Sequence, residues 1–130
     1  MEFPLSIGKK KAGLPLIISG THNLCFLIDT GATHNVIFNY VYEHFKKEFK
    51  RLDGNQSIMG IEGIYQETPI IEATFNFEGV DYTSSFSVLE ASDAMQQVQK
   101  ETGIQIHGIL GVQFLLENKW ILDFKNKIIK

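Results

Sequence analysis

The feature that most constrains this chain is a short apolar run that ends on an acid. Leu24-Cys25-Phe26-Leu27-Ile28 has the length and composition of a buried strand, and it delivers Asp29 straight into Thr30-Gly31. A carboxylate at the end of a buried strand is expensive to desolvate unless hydrogen bonds or a partner compensate it. The residues that follow suit that need. Gly31 lets the backbone turn sharply and bring N–H groups to the carboxylate with no side chain in the way, and Thr30 offers a hydroxyl to brace the loop. Val36-Ile37 then return to apolar, strand-forming character. An isolated Asp-Thr-Gly is also an ordinary turn, which composition alone produces in roughly a few per cent of chains this long. The flanks decide between the two readings.

Strand signals dominate elsewhere. Leu14-Pro15-Leu16-Ile17-Ile18 precedes the acid-bearing strand across the turn-prone Ser19-Gly20-Thr21-His22-Asn23, which predicts a hairpin. Ile71, Ala73, Phe75 and Phe77 alternate with polar residues, and after Glu78-Gly79 the alternation resumes at Val80, Tyr82, Ser84, Phe86 and Val88. This predicts a second, longer hairpin. Near the end Trp120, Leu122 and Phe124 alternate, Asn126 turns and Ile128-Ile129 return, while Asp53-Gly54 reads as a turn. Helices are few. Val41, Phe45 and Phe49 stand at i, i+4 and i+8, predicting an amphipathic helix over 39–51 with Glu43, Lys46, Lys47 and Lys50 outward. Ser92 is placed to cap a second helix through about Thr102, with Met95 and Val98 inward, and a third, short one spans 112–116. The class is mostly β with two or three short helices.

With 130 residues, 44% of them hydrophobic, and no repeat or linker-like tract, residues 1–130 are expected to form one domain. A net charge of -3 gives no pull toward nucleic acid or acidic membranes. The basic runs Lys9-Lys10-Lys11 and Lys46-Lys47 with Lys50-Arg51 read as solvated surface. A lone cysteine, Cys25, rules out an intramolecular disulfide and a thiolate cluster, and it reads as a small packed apolar residue. His22, His44 and His107 show no metal-ligand spacing, so no metal is expected. Residues 1–20 lack a signal-peptide pattern, and no apolar stretch nears the ~20 residues of a membrane span. A soluble, cytoplasmic protein with no nucleic-acid or membrane partner is the expectation.

Three segments together resemble the retropepsin-like aspartic proteases of retroviruses, retrotransposons and their cellular and bacterial relatives. Leu27-Ile28-Asp29-Thr30-Gly31-Ala32-Thr33-His34-Asn35-Val36-Ile37 is close to the retrotransposon form of the active-site motif. Gly108-Ile109-Leu110-Gly111-Val112-Gln113-Phe114-Leu115 is similar to the family's second mark, an apolar pair and a glycine beneath the catalytic loop. Between them Ser57-Ile58-Met59-Gly60-Ile61-Glu62-Gly63-Ile64-Tyr65 looks like the flap hairpin. The resemblance spans about residues 14–124. It implies a closed β-barrel-like lobe with a flap, in the acid protease fold, working without metal or cofactor.

The resemblance makes Asp29 the catalytic aspartate, with Thr30 hydrogen-bonding across a two-fold axis and Gly31 supporting the carboxylates and substrate backbone. It implies substrate-binding roles for Ala32 and Thr33 on the loop, Gly60, Ile61, Glu62 and Gly63 in the flap, and Leu110 beneath. Such chemistry needs two close carboxylates sharing one proton. Asp53, Asp81, Asp93 and Asp123 all lack an Asp-Thr/Ser-Gly context. The second carboxylate is therefore expected from Asp29 of another copy, making a homodimer that acts on a peptide or protein. Thr33 stands where retroviral enzymes usually carry an acid, and Gln113 where many relatives have one, so retroviral specificity does not transfer. His34 reads as loop-shaping or as a substrate contact; Met59, Ile61, Ile64 and Tyr65 read equally as cleft lining or core. The resulting expectation is an aspartic endopeptidase, with a catalytically silent dimerisation or peptide-binding module of the same fold as the alternative.

Overall fold

Alternating segments become strands in the computed structural model, which describes the chain apart from residues 1–2, 5, 9–10, 19–21, 60–62, 64, 78, 92, 94–95, 98, 101–104, 127 and 130. Of residues 3–23 and 59 it describes the backbone alone. The strands are β1 (Phe3–Pro4), β2 (Ser6–Gly8), β3 (Lys11–Ile18), β4 (His22–Asp29), β5 (Val36–Phe38), β6 (Lys50–Met59), β7 (Tyr65–Phe77), β8 (Val80–Leu89), β9 (Gly108–Gly111), β10 (Leu122–Asp123) and β11 (Ile128–Ile129). Two short helices, α1 (Asn39–His44) and α2 (Val112–Glu117), complete the named elements. The fold is mostly β.

Eight strands form one mixed sheet in the order β2-β3-β4-β9-β5-β8-β7-β6, and β3 also pairs with β7 through Ile17↔Asn76 and Ile18↔Phe75. That extra pairing closes β3, β4, β9, β5, β8 and β7 into a ring, the closed barrel-like lobe the resemblance implied. Closure leaves β6 outside the ring, paired along β7 as one arm of the roof hairpin. The other sheet is small, β1-β11-β10.

Inward positions of the strands build the core. Ile71, Ala73, Phe75 and Phe77 of β7 are buried, and Phe75 meets Phe86 and Phe114 at ring-centroid distances of 6.2 and 5.9 Å. Phe26 of β4 meets Phe86 edge-on at 5.8 Å. Each such fully buried ring contributes roughly 1.5–3 kcal/mol by leaving water, and edge-on pairing adds about 1 kcal/mol. β5 is buried at all three positions because it lies between β9 and β8 in the sheet. Val80, expected inside, is half exposed at the hairpin end.

The helix predicted over 39–51 is cut short. α1 stops at His44, a single 3-10 turn follows at Lys46–Glu48, and Phe49 is already extended at φ -111, ψ 141. Strand pairing wins here: Lys50 and Arg51 pair with Glu72 and Ile71, giving their backbone a ladder that a longer helix would forfeit. Phe49 reaches the core from this extended backbone and stacks on Tyr42 at 6.2 Å, while Phe45 is only half-buried. The turn predicted at Asp53-Gly54 is instead an irregularity inside β6, between Arg51 and Asn55, with Gly54 at φ +84.

Residues 93, 96–97 and 99–100 are helical, within the predicted second helix, whose Ser92, Met95, Val98 and Thr102 lie outside the described residues. α2 matches the third. The C-terminal hairpin forms, but with two-residue strands. Asp123 accepts hydrogen bonds from the Asn126 backbone N–H and Nδ2, at 2.9 and 2.8 Å, which tightens the turn and leaves Phe124 exposed in it.

Candidate active site

β4 ends on Asp29 because its partner ends there too. β4 and β9 run parallel with Phe26↔Gly108, Ile28↔Leu110 and Asp29↔Gly111 in register, so the two sequence motifs meet side by side. Beyond Asp29 the chain reverses at once. The Gly31 N–H donates to Asp29 Oδ1 at 2.9 Å and the Ala32 N–H to the Asp29 carbonyl at 3.1 Å. Oδ2 takes no hydrogen bond from the described residues. Asp29 is half-buried, while Thr30, Gly31 and Thr33 are exposed.

The loop is seated on β9 by backbone contact. The Val112 N–H donates to the Ala32 carbonyl at 2.7 Å. A Cβ on Gly111 would lie 2.7 Å from the His34 carbonyl oxygen and 2.8 Å from that of Ala32, so only glycine fits. Gly108 is equally constrained, since a Cβ would stand 2.6 Å from the Phe26 ring and closer still to the Val36 carbonyl. These are the two glycines that bound the second motif.

Asn35 completes the seat, and sequence reading missed its part. Its Oδ1 accepts the Gly111 N–H at 2.9 Å, and its Nδ2 donates to Ser84 Oγ at 2.9 Å and the Ser85 carbonyl at 3.2 Å. Its own carbonyl accepts the Ser87 N–H. One side chain, 7% exposed, thus ties the loop, β9 and β8 together. The available signal was an amide set between a polar loop and the wholly apolar Val36-Ile37-Phe38, where a buried polar group must be bonded.

Above the loop lies a cleft of about 330 Å³, lined by Gly31, Ala32, Thr33, His34, Val36, Ser57, Ile58 and Tyr65. It brings three of the predicted site residues under the roof hairpin, where β6 and β7 pair as far as Met59↔Tyr65. Gly63 sits at the tip with φ +81, exposed; Gly60, Ile61 and Glu62, with Ile64, lie outside the described residues. Tyr65 is 66% exposed on the cleft rather than packed in the core.

Leu110, expected at the substrate, is instead fully buried in the barrel core with Phe26 and Ile37. Its neighbour Ile109 packs with Ala32, Val36 and Ile58, the side on which the cleft lies. A one-residue step along a strand exchanges faces, and the reading took the wrong face. Of the other aspartates, Asp53, Asp81 and Asp93 are exposed and Asp123 caps its own turn; none lines the cleft.

Away from the cleft, His107 is structural. Its Nδ1 accepts the Cys25 backbone N–H at 2.9 Å, and the His107 backbone N–H donates to the Cys25 carbonyl at 2.8 Å. Burial holds its imidazole below the usual histidine range. Burial also pushes the half-buried Cys25 thiol up, away from reactivity. Among the described residues no three His, Cys, Asp or Glu side chains converge as metal ligands, and no helix is long and apolar enough to cross a membrane.

This arrangement, a closed lobe with a strand-end Asp-Thr-Gly seated on a parallel Gly-bounded strand, is the retropepsin-like aspartic protease fold. Solved structures of that fold superpose along nearly the whole chain. The retroviral protease-like domain of Ddi1 from Leishmania major matches with a TM-score of 0.63 and 16% identity, covering 98% of this chain and 87% of that one. A retropepsin-like aspartic protease from Rickettsia conorii matches at 0.62 and 15%, covering 99% and 89%. The EIAV protease, solved with the inhibitor HBY-793, matches at 0.62 and 22%, covering 85% and 90%. No family model matches the sequence, and no curated protein does.

Proposed function

We propose that the chain is an aspartic endopeptidase acting as a homodimer, in which Asp29 of each copy supplies one carboxylate of the dyad. The observation that carries this reading is Asp29 itself: half-buried at a strand end, oriented by the Gly31 N–H at 2.9 Å, beside a cleft roofed by a hairpin. Seating a carboxylate this firmly serves no packing purpose. The lobe holds one such aspartate, so the reaction calls for a second copy.

Two carboxylates held close together share one proton, because both cannot ionise cheaply. The ionised member takes a proton from a water whose oxygen attacks the peptide carbonyl. The protonated member donates to the developing oxyanion, and collapse of the resulting diol breaks the C–N bond as the carboxyl that took the water's proton passes it to the leaving amine. Thr30, exposed beside Asp29, would hydrogen-bond across the two-fold axis of such a dimer. A peptide would lie extended between the roof and the loop, held by strand-like backbone hydrogen bonds to the region of Gly31, Ala32 and Thr33 and to Gly60, Ile61, Glu62 and Gly63 of the roof.

The test is Asp29→Asn assayed on a peptide library. The amide oxygen still accepts the Gly31 N–H, so the variant is expected to keep its circular dichroism and thermal midpoint while losing peptide hydrolysis. Hydrolysis that continues unchanged sinks the assignment.

A further inference from the structure

A second cleft, of about 310 Å³, opens on the other side of His34, walled by Asn35, Gln56, Ser84, Ser87, Gln113 and Glu117 among others. His34 is the partition between the two clefts, and what fixes the partition is an amide. Gln56 of β6 stands with its Nε2 at 2.9 Å from His34 Nε2. Its Oε1 accepts the Ser87 hydroxyl of β8 at 2.7 Å, and its backbone carbonyl accepts Thr68 Oγ1 of β7. Among the described residues, no other side-chain hydrogen bond joins β6 to the loop of residues 30–35.

The direction of each bond follows from the atoms. An amide oxygen has no proton, so Ser87 donates to it, and the amide NH2 is thereby turned toward His34. An amide nitrogen only donates, so His34 Nε2 must accept, which requires the neutral ring with its proton on Nδ1. A proton added at Nε2 would set two donors face to face. Turning the amide over would offer its oxygen to the imidazolium but would strand the Ser87 hydroxyl proton, at a residue only 1% exposed. The titratable groups that line the two clefts with His34 are Tyr65 of β7 and Glu117 of α2, and Asp29 ends β4 ahead of the loop; β6 and β8 present only the uncharged polar Gln56, Ser57, Ser84, Ser85 and Ser87.

We propose that Gln56 and His34 are positioning residues that tie the roof strand to the aspartate loop by a hydrogen bond existing only while His34 is neutral. Protonation of the ring releases β6, the cleft loses its fixed height, and peptide capture weakens without any change in the reacting atoms. The substrate arm rests on the proposed peptidase reading; the tie itself does not.

Two measurements separate them. In nitrogen NMR the neutral His34 ring is expected in the Nδ1–H form. Once acid has protonated the ring, exchange of β6 amide protons, corrected for the intrinsic rate, is expected to be about fivefold quicker, the weight of one ordinary hydrogen bond. In Gln56→Glu the carboxylate keeps the Ser87 hydroxyl and attracts the imidazolium, so β6 exchange should slow on the same protonation. With a cleaved peptide, the wild-type loss appears in KM and reverses in sign in Gln56→Glu. A ring found in the Nε2–H form, or one pH dependence shared by wild type and Gln56→Glu, overturns the tie. Failure to cleave any peptide would count against the peptidase while leaving the ring and exchange data to decide this proposal.

Discussion

At the floor of the cleft, the aspartate loop is fastened from several sides: Val112 N–H on Ala32, Asn35 on Gly111, and β8 on Asn35, all over a glycine with no room for one more carbon. At the roof, Tyr65 is two-thirds exposed, Gly63 has nothing within 4 Å of a notional Cβ, and Gln56 alone among the described residues of β6 and β7 reaches the loop by a side-chain hydrogen bond. Both regions belong to the same sheet. The floor draws its geometry from packing of backbone on backbone, which does not deform. The roof draws its geometry from ladder bonds along one edge and a single amide. One fixes where the carboxylate stands, and the other leaves room to move.

Equal substitutions should therefore have unequal costs. Gly111→Ala forces a methyl against two backbone carbonyls that cannot yield, and is expected to destabilise by about 3 kcal/mol in urea unfolding, if it folds at all. Asn35→Ala leaves the buried Gly111 N–H without its acceptor and should cost about 2 kcal/mol. Gly63→Ala meets only the strain of its positive φ, about 1 kcal/mol. If Gly63→Ala proves as damaging as Gly111→Ala, the contrast between floor and roof is wrong.

The smallest effect is the floor's own acid sensitivity. Burial lowers the His107 pKa, so the folded state keeps the ring neutral while the unfolded state takes up a proton near pH ~6.5. The stability this gives is complete above that value and is lost as pH falls through the lowered folded one. Thermal midpoints at pH 7.5 and 5.5 should therefore fall further for wild type than for His107→Gln, whose amide oxygen accepts the Cys25 N–H with no proton to gain. Equal falls would remove His107 from the account.

Legibility in the sequence follows the same division. Asp29-Thr30-Gly31 and Gly108 to Gly111 are local chemistry: an acid that needs N–H donors, and glycines that need to be bare. Such requirements show in the residues themselves, and so did the alternation of Phe75, Phe77 and Phe86. The end of α1 did not show, because Lys50 and Arg51 become strand only by pairing with Glu72 and Ile71 some twenty residues on. Leu110 and Ile109 are indistinguishable by type, and only the register of β9 against β4 says which faces the core. Gln56 carries no local mark at all; its role comes from Ser87 and His34, brought to it by the fold.

The central claim is that two copies of Asp29 make one catalyst, and mixing tests it directly. Wild type is held at fixed concentration, with total protein kept well above its dimerisation constant, while Asp29→Asn is added and allowed to exchange. If the dyad needs both aspartates, wild-type chains are drawn into dead mixed pairs, and a tenfold excess of the variant lowers peptide hydrolysis about tenfold. Hydrolysis that stays constant as the variant is added would mean that one chain suffices, and would contradict the account.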